Sequence, residues 1–263
     1  MSLHHFFLKK QILKNEIADD FVLELSPEDA KHARVLRLEA GEHISVVDGS
    51  QDYFECEIVS HDENGLRVRI AQKLELDSLG ASVYLVQGMA KGDKMDDIIR
   101  HTTEVGIAGF VPLLCDRSIV KLDAKKTKAR MQRWETIAKS AAMQSGRLTI
   151  PEIVEPLTVK QSVEFMASMD VVLVCWEESL QGNIRTVLQE ATNRLGVGVD
   201  TLRIAVVVGP EGGLSAAEVD MIRELDQCRV ITLGNTILRT ETAGIVAPSL
   251  VLYECGGLGN SAQ

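Results

Sequence analysis

Two loops late in the chain carry the residues best suited to chemistry. The first, Val208-Gly209-Pro210-Glu211-Gly212-Gly213, follows the β-branched run Ile204-Ala205-Val206-Val207-Val208 and precedes Leu214-Ser215-Ala216-Ala217-Glu218. Ser215 and Glu218 have the spacing of a capping box, so a helix starts there. A buried strand, a glycine turn and a capped helix N-terminus in succession expose backbone N–H groups at the carboxyl edge of a sheet, where open α/β folds bind ligands. Gly212 and Gly213 allow positive φ and close approach of a ligand to the backbone. Pro210 fixes its own φ and holds Gly209 extended.

The second loop repeats the arrangement. Arg229-Val230-Ile231-Thr232-Leu233 reads as a strand, Gly234-Asn235 as a turn and Thr240-Glu241-Thr242 as a helix start. Between turn and helix, Ile237-Leu238-Arg239 sets two apolar side chains beside a guanidinium, which suits a flat heterocycle with polar edges. Two such loops, read as ending neighbouring strands, make a binding site a better account than two ordinary turns.

The elements that must hold these loops are those of an α/β domain. Strands at 83–86, 110–114, 150–154, 171–176, 202–208 and 229–233 alternate with helices at 94–106, 124–145, 158–168, 183–194, 215–226 and 240–253, the order of a mainly parallel sheet. Pro248 should kink the last helix, and its Ala243-Gly244-Ala247 pattern permits close contact compatible with a dimer face. Ahead of a boundary near Leu76–Gly80 the pattern differs: short strands separated by turns at Asp48-Gly49-Ser50 and Asp62-Glu63-Asn64-Gly65, with one helix opened by Ser26-Pro27, describe a small barrel-like β domain.

The chain has 263 residues, 45% of them hydrophobic, enough for two domains with a proper core. Its five cysteines are scattered singly with no Cys-x-x-Cys pair, which fits reduced thiols in a cytosol. The histidines show no metal spacing, no apolar run is long enough to span a membrane, and the N-terminus has no signal-peptide core. A net charge of −10 argues against an indiscriminate polyanion binder, but residues 117–147 hold nine Lys and Arg against Asp123 and Glu135, a local +7. That concentration is read as an RNA backbone contact against the alternative of a solvated helix face. No P-loop is present, and Gly196-Val197-Gly198 precedes its strand instead of following it, so neither an NTPase nor a Rossmann enzyme is indicated.

Gly-Pro-Glu-Gly-Gly at 209–213, followed by Leu-Gly-Asn-Thr-Ile-Leu-Arg-Thr-Glu-Thr-Ala at 233–243, resembles the ribosomal RNA small-subunit methyltransferase E family. The similarity continues through Lys91-Gly92, Thr103-Glu104-Val105-Gly106, Arg117-Ser118, Arg133-Trp134, Gln144-Ser145-Gly146-Arg147 and, near the front, Lys31-His32-Ala33-Arg34-Val35-Leu36-Arg37. Three positions depart from the family's pattern: His5 where an arginine is usual, His101 for a lysine and Met143 for a glutamate.

The resemblance implies a PUA-like RNA-binding β domain over residues 1–76. It implies a SPOUT methyltransferase domain over residues 77–263, with a trefoil-knotted, mainly parallel sheet and helices on both faces. It further implies a cytoplasmic homodimer that transfers a methyl group from S-adenosylmethionine, without a metal, to N3 of a specific uridine in 16S rRNA. The alternatives are methylation of another RNA atom, such as a ribose 2′-oxygen, or a non-catalytic RNA-binding protein that keeps the fold.

On this reading the cofactor lies against Gly209, Pro210, Glu211, Gly212, Gly213, Leu233, Gly234, Leu238, Arg239 and Thr240, with Trp176 a candidate border of the adenine pocket. His32, Arg34, Arg37 and Arg147 contact RNA. The reaction removes the uracil N3 proton and leaves negative charge on the flanking carbonyl oxygens. Arg239 is the candidate to stabilise that charge, and Glu211 or Glu241 is the candidate base if a side chain serves.

Overall fold

A computed structural model describes residues 3–16, 18–75, 80–118, 123–176 and 182–258. The chain divides into two compact units, residues 1–78 with 142–148 and residues 79–141 with 149–263. The proposed boundary residues Leu76–Leu79, and Lys121 of the basic run, lie outside the described residues.

In the first unit, β1 (His4–Phe7), β2 (Phe21–Val22), β3 (His43–Val47), β4 (Tyr53–Asp62) and β5 (Gly65–Leu74) form a sheet in the order β1-β3-β4-β5-β2. Alternation along β4 and β5 sends Phe54, Cys56, Ile58, Leu66 and Val68 into a core shared with Phe6, Leu13, Phe21 and Ile44. β2 stops at Val22 although the apolar alternation runs on to Leu25. There the Gln11 side chain takes over, donating to the Val22 carbonyl and accepting from the Glu24 N–H.

His5 is buried, its Nδ1 is 2.7 Å from Ser45 Oγ, and its ring stacks on Tyr53. Burial, then the neighbouring His4, push its pKa below the ordinary value. This residue packs inside the fold.

Helix α1 (Pro27–Leu36) begins as expected, with Ser26 accepting from the Asp29 N–H and Pro at N1. It ends on Arg37 in the left-handed region, φ 53°. His32, Arg34 and Arg37 are all exposed around that end, as is Val35.

The second unit is a parallel sheet in the order β12-β10-β11-β6-β7-β8, built from β6 (Ser82–Gly88), β7 (Gly109–Leu114), β8 (Glu152–Ile153), β10 (Val171–Cys175), β11 (Arg203–Val208) and β12 (Cys228–Ile231), with β9 (Leu157–Thr158) also on β7. Its strands read as continuous apolar runs because both faces are covered. Val83, Leu85, Val171, Leu173, Ile204 and Val206 pack with α2 (Lys94–Val105), α3 (Ala124–Ser145), α5 (Ile184–Leu195) and α7 (Thr240–Glu254). Val86, Val172, Val174, Ala205 and Val207 meet α4 (Val159–Met166) and α6 (Ala216–Arg223) on the other face.

Two expectations change here. β11 and β12 are not neighbours, because β10 pairs with both and lies between them. Sequential order in the chain did not reveal that an earlier strand occupies the middle. Ala243, Gly244 and Ala247 are buried within the chain, with Gly244 against Gln87 and Ile98, so this small-residue pattern serves packing inside the unit.

A left-handed conformation costs a non-glycine residue roughly 1–2 kcal/mol, part of which glycine's greater unfolded-state freedom cancels. Arg37→Gly should therefore raise stability by up to about 1 kcal/mol, seen as a higher urea midpoint. A lower midpoint would mean that the Arg37 side chain stabilises more than its backbone costs.

Candidate active site

The loops that follow β11 and β12 meet at one cavity of about 700 Å³. Its lining includes Cys175, Trp176, Gly209, Pro210, Glu211, Gly213, Leu233, Gly234, Leu238, Arg239, Thr240 and Glu241, so nearly every residue expected at a cofactor site is present. Cys175, the last residue of β10, and Trp176, which follows it, contribute the wall between the loops. Burial pushes the Cys175 thiol up to about 12, which keeps it protonated and unsuited to act as a nucleophile.

Loop 209–213 is a tight turn in which the Gly213 N–H donates to the Pro210 carbonyl at 2.9 Å and Gly213 takes φ 67°. Ser215 and Glu218 then form the anticipated reciprocal capping box. Gly212 departs from the expectation. Its φ is not positive, and an added Cβ would lie 3.0 Å from Arg117 Cβ, so this glycine makes room for Arg117. Arg117 Nη1 in turn donates to the Gly212 carbonyl at 3.1 Å and to that of Leu214 at 3.4 Å. The member of the basic run that comes first thus holds the loop.

In the second loop the Gly234 φ is 121° and an added Cβ would meet nothing within 4 Å. Glycine is needed there for its backbone alone. Thr232 Oγ1 clamps the turn from both sides, accepting from the Gly234 N–H at 3.2 Å and donating to its carbonyl at 3.1 Å.

Both loops are tied to the end of β6. Fully buried Gln87 donates through Nε2 to Thr240 Oγ1 at 2.9 Å, and Thr240 Oγ1 donates to the Gly209 carbonyl at 2.6 Å. An added Cβ at Gly88 would sit 2.3 Å from the Pro210 nitrogen, and one at Gly244 would sit 2.3 Å from Gln87 Oε1. Close backbone approach at these two glycines lets the strand, the loop and the last helix converge.

The charged groups are arranged around Lys94, in the first turn of α2. Its Nζ lies 3.1 Å from Glu211 Oε1 and 2.9 Å from Glu241 Oε2, and Glu211 Oε1 also accepts from the Lys91 N–H at 3.1 Å. Burial raises the Glu211 pKa, but the N–H groups of Lys91 and Glu211 and the Lys94 ammonium outweigh it and leave the value low. The Glu241 pKa is lowered by its own backbone N–H and then by Lys94. Two carboxylates held in the ionised form are weak proton acceptors. Arg239, at the N-cap of α7, is exposed; its carbonyl accepts from the Ala243 N–H at 2.8 Å, and its side chain makes no hydrogen bond or ion pair among the described residues.

The remaining basic residues are divided. Arg133 pairs with Asp96 through Nε at 2.7 Å, and Trp134 Nε1 donates to the same carboxylate. Lys125 and Lys128 stay exposed, whereas Arg147 is half-buried and burial pulls its pKa down to about 10. His32, Arg34, Arg37 and Arg147 all belong to the first unit and are not in the cavity.

Gln87, Gly88, Lys94 and Arg117 were not anticipated as site residues. One signal was legible for Lys94, since a cation in the first turn of a helix opposes the helix dipole and calls for nearby anions. Gln87 and Gly88 sit in an ordinary apolar strand, and nothing local marks them.

Comparison with known proteins defines the class. The RNA methyltransferase domain family matches residues 78–252, and the RNA methyltransferase PUA domain family matches residues 25–71. Ribosomal RNA small subunit methyltransferase E of Bacillus subtilis is 35% identical over 248 residues, covering 93% of this chain and 94% of that protein. Its Aquifex aeolicus counterpart is 30% identical over 234 residues, or 88% and 94%. Among solved structures, a Legionella pneumophila protein described as a methyltransferase in complex with S-adenosylmethionine superposes with a TM-score of 0.78 at 29% identity, covering 96% and 98% of the two chains. The methyltransferase E structure from Neisseria gonorrhoeae, at 24% identity, 95% and 97% coverage and a TM-score of 0.76, shares the fold.

The protein is therefore an RNA methyltransferase with a PUA domain ahead of its α/β domain. More particularly, the chain belongs to the ribosomal RNA small subunit methyltransferase E family and is an S-adenosylmethionine-dependent rRNA methyltransferase.

The paired carboxylates give the site a pH signature. Their pKa values in the folded chain lie below the ordinary 4.5, so their contribution to stability is complete above that value and is lost as pH falls through the lower folded values. Thermal melts of the native protein should fall off more steeply in this acid range than those of the Glu211→Gln, Glu241→Gln double variant. Parallel curves would show that the Lys94 cluster contributes nothing measurable.

Proposed function

We propose that the chain methylates N3 of a uridine in 16S rRNA, with S-adenosylmethionine held between loops 209–213 and 233–240. The observation that carries this reading is Arg239, an unpaired guanidinium in the lining of a cavity formed by both loops. The cavity fits a nucleoside cofactor: it combines an apolar and aromatic wall, through Leu233, Leu238 and Trp176, with glycine-rich backbone. Bound there, S-adenosylmethionine supplies the methyl group.

The chain's own residues then have defined tasks. The loops orient the two reactants, which in a bimolecular transfer supplies much of the acceleration. Arg239 favours loss of the N3 proton by stabilising negative charge on the uracil carbonyl oxygens. Glu211 and Glu241, engaged by Lys94, anchor the loops, and the proton leaves to solvent.

Residues 1–76 act as the RNA-binding domain and 77–263 as the catalytic domain, with His32, Arg34 and Arg37 offering exposed positive or polar groups to the RNA backbone. We further assign the enzyme to the cytoplasm, its substrate to rRNA within the small subunit, and its chain path to a trefoil knot in a homodimer. Leu250 and Tyr253 leave exposed apolar surface on α7 for a second copy.

Small subunits lacking the modification, incubated with the purified protein and S-adenosylmethionine, should yield 3-methyluridine by nucleoside mass spectrometry; 2′-O-methyluridine would overturn the assigned atom. In the same assay Arg239→Ala should slow single-turnover transfer by roughly a hundredfold, with Arg239→Lys intermediate. Higher pH should partly restore the Ala variant, because more uracil is already ionised. Cofactor binding lost in proportion to rate, with no recovery at high pH, would make Arg239 a clamp of the loop instead.

A further inference from the structure

Arg239 immediately precedes the α7 turn that carries Glu241, and its charge is felt there, contributing to the lowered Glu241 pKa. A guanidinium beside free carboxylates would ordinarily pair with them, since its planar fork matches a carboxylate better than an ammonium does. It does not do so here. Among the described residues the carboxylates lining the cavity are Glu211 and Glu241, and both are taken by Lys94, at 3.1 Å and 2.9 Å. Glu211 is further fixed by the Lys91 N–H. Lys94 itself is held by a helix whose Met95, Ile98 and Ile99 are buried in the core.

We infer that Lys94 is a positioning residue for the reaction: by engaging Glu211 and Glu241 together, it keeps Arg239 unpaired and available to the RNA base in the pocket. The inference rests on the role proposed above for Arg239, and it assigns Lys94 no contact with substrate. Without the ammonium, the two carboxylates become partners for Arg239, and the guanidinium is neutralised and displaced.

Lys94→Met should lower the single-turnover rate by roughly tenfold or more, as misplacement of a reacting group does, while S-adenosylmethionine affinity measured by calorimetry changes much less. Lys94→Arg should keep most of the rate. Adding Glu241→Gln to Lys94→Met should recover part of the loss, because the captor of Arg239 is removed. A crystal structure of Lys94→Met should show Arg239 within about 4 Å of Glu211 or Glu241, the range of an ion pair.

An undiminished rate for Lys94→Met would overturn the inference. So would a lost rate that Glu241→Gln leaves unrecovered while Arg239 remains unpaired in the crystal, since Lys94 would then act on substrate directly. If the unaltered protein transfers no methyl group, the reading of the reaction fails, and the crystal structure still decides whether Lys94 governs the pairing of Arg239.

Discussion

A buried Thr240 hydroxyl joins three segments distant in the chain, accepting from the Gln87 amide at the end of β6 and donating to the Gly209 carbonyl at the head of the first loop. Buried polar groups of this kind are costly unless satisfied, so once made the junction specifies one arrangement of the segments. Gly88 and Gly244 are the steric conditions for it, since a side chain at either would collide with Pro210 or Gln87. The pocket follows from this constraint, because both loops that line it depart from the points so fixed.

Around the buried junction, charge does similar work nearer the surface. Lys94 holds Glu211 and Glu241, while Arg117 holds the Gly212 and Leu214 carbonyls of the first loop. Partly exposed ion pairs contribute little stability individually. Their effect here is on geometry and on protonation: Glu211 and Glu241 stay ionised, and the Arg239 side chain has no partner among the described residues.

The sequence disclosed much of this arrangement because its main signals are local. A β-branched run, a proline-glycine turn and a Ser-x-x-Glu cap identify a strand, loop and helix wherever they occur, and Ser215 and Glu218 make the bonds their spacing predicts. What it did not disclose depends on partners far along the chain. Gln87 looks like any strand residue until Thr240, 153 positions away, is placed against it. Gly212 reads as a ligand-facing glycine until Arg117 is seen to fill the space. The placement of β10 between β11 and β12 likewise follows from topology and not from any pattern within those strands.

With the cofactor placed as proposed, the two loops form one pocket because the Thr240 hydroxyl fixes them together. Calorimetric titration of S-adenosylmethionine into Thr240→Val and Thr240→Ser, each first shown to be folded, tests it most directly. Valine keeps the approximate shape but removes the hydroxyl, leaving the Gly209 carbonyl only the long 3.5 Å bond from Gln87 Nε2, which also donates to the Gly88 carbonyl, a loss of about 1–3 kcal/mol if it falls on the bound geometry. Affinity should weaken by roughly tenfold or more in Thr240→Val and stay near native in Thr240→Ser. Native affinity in a folded Thr240→Val protein would contradict that role of the hydroxyl.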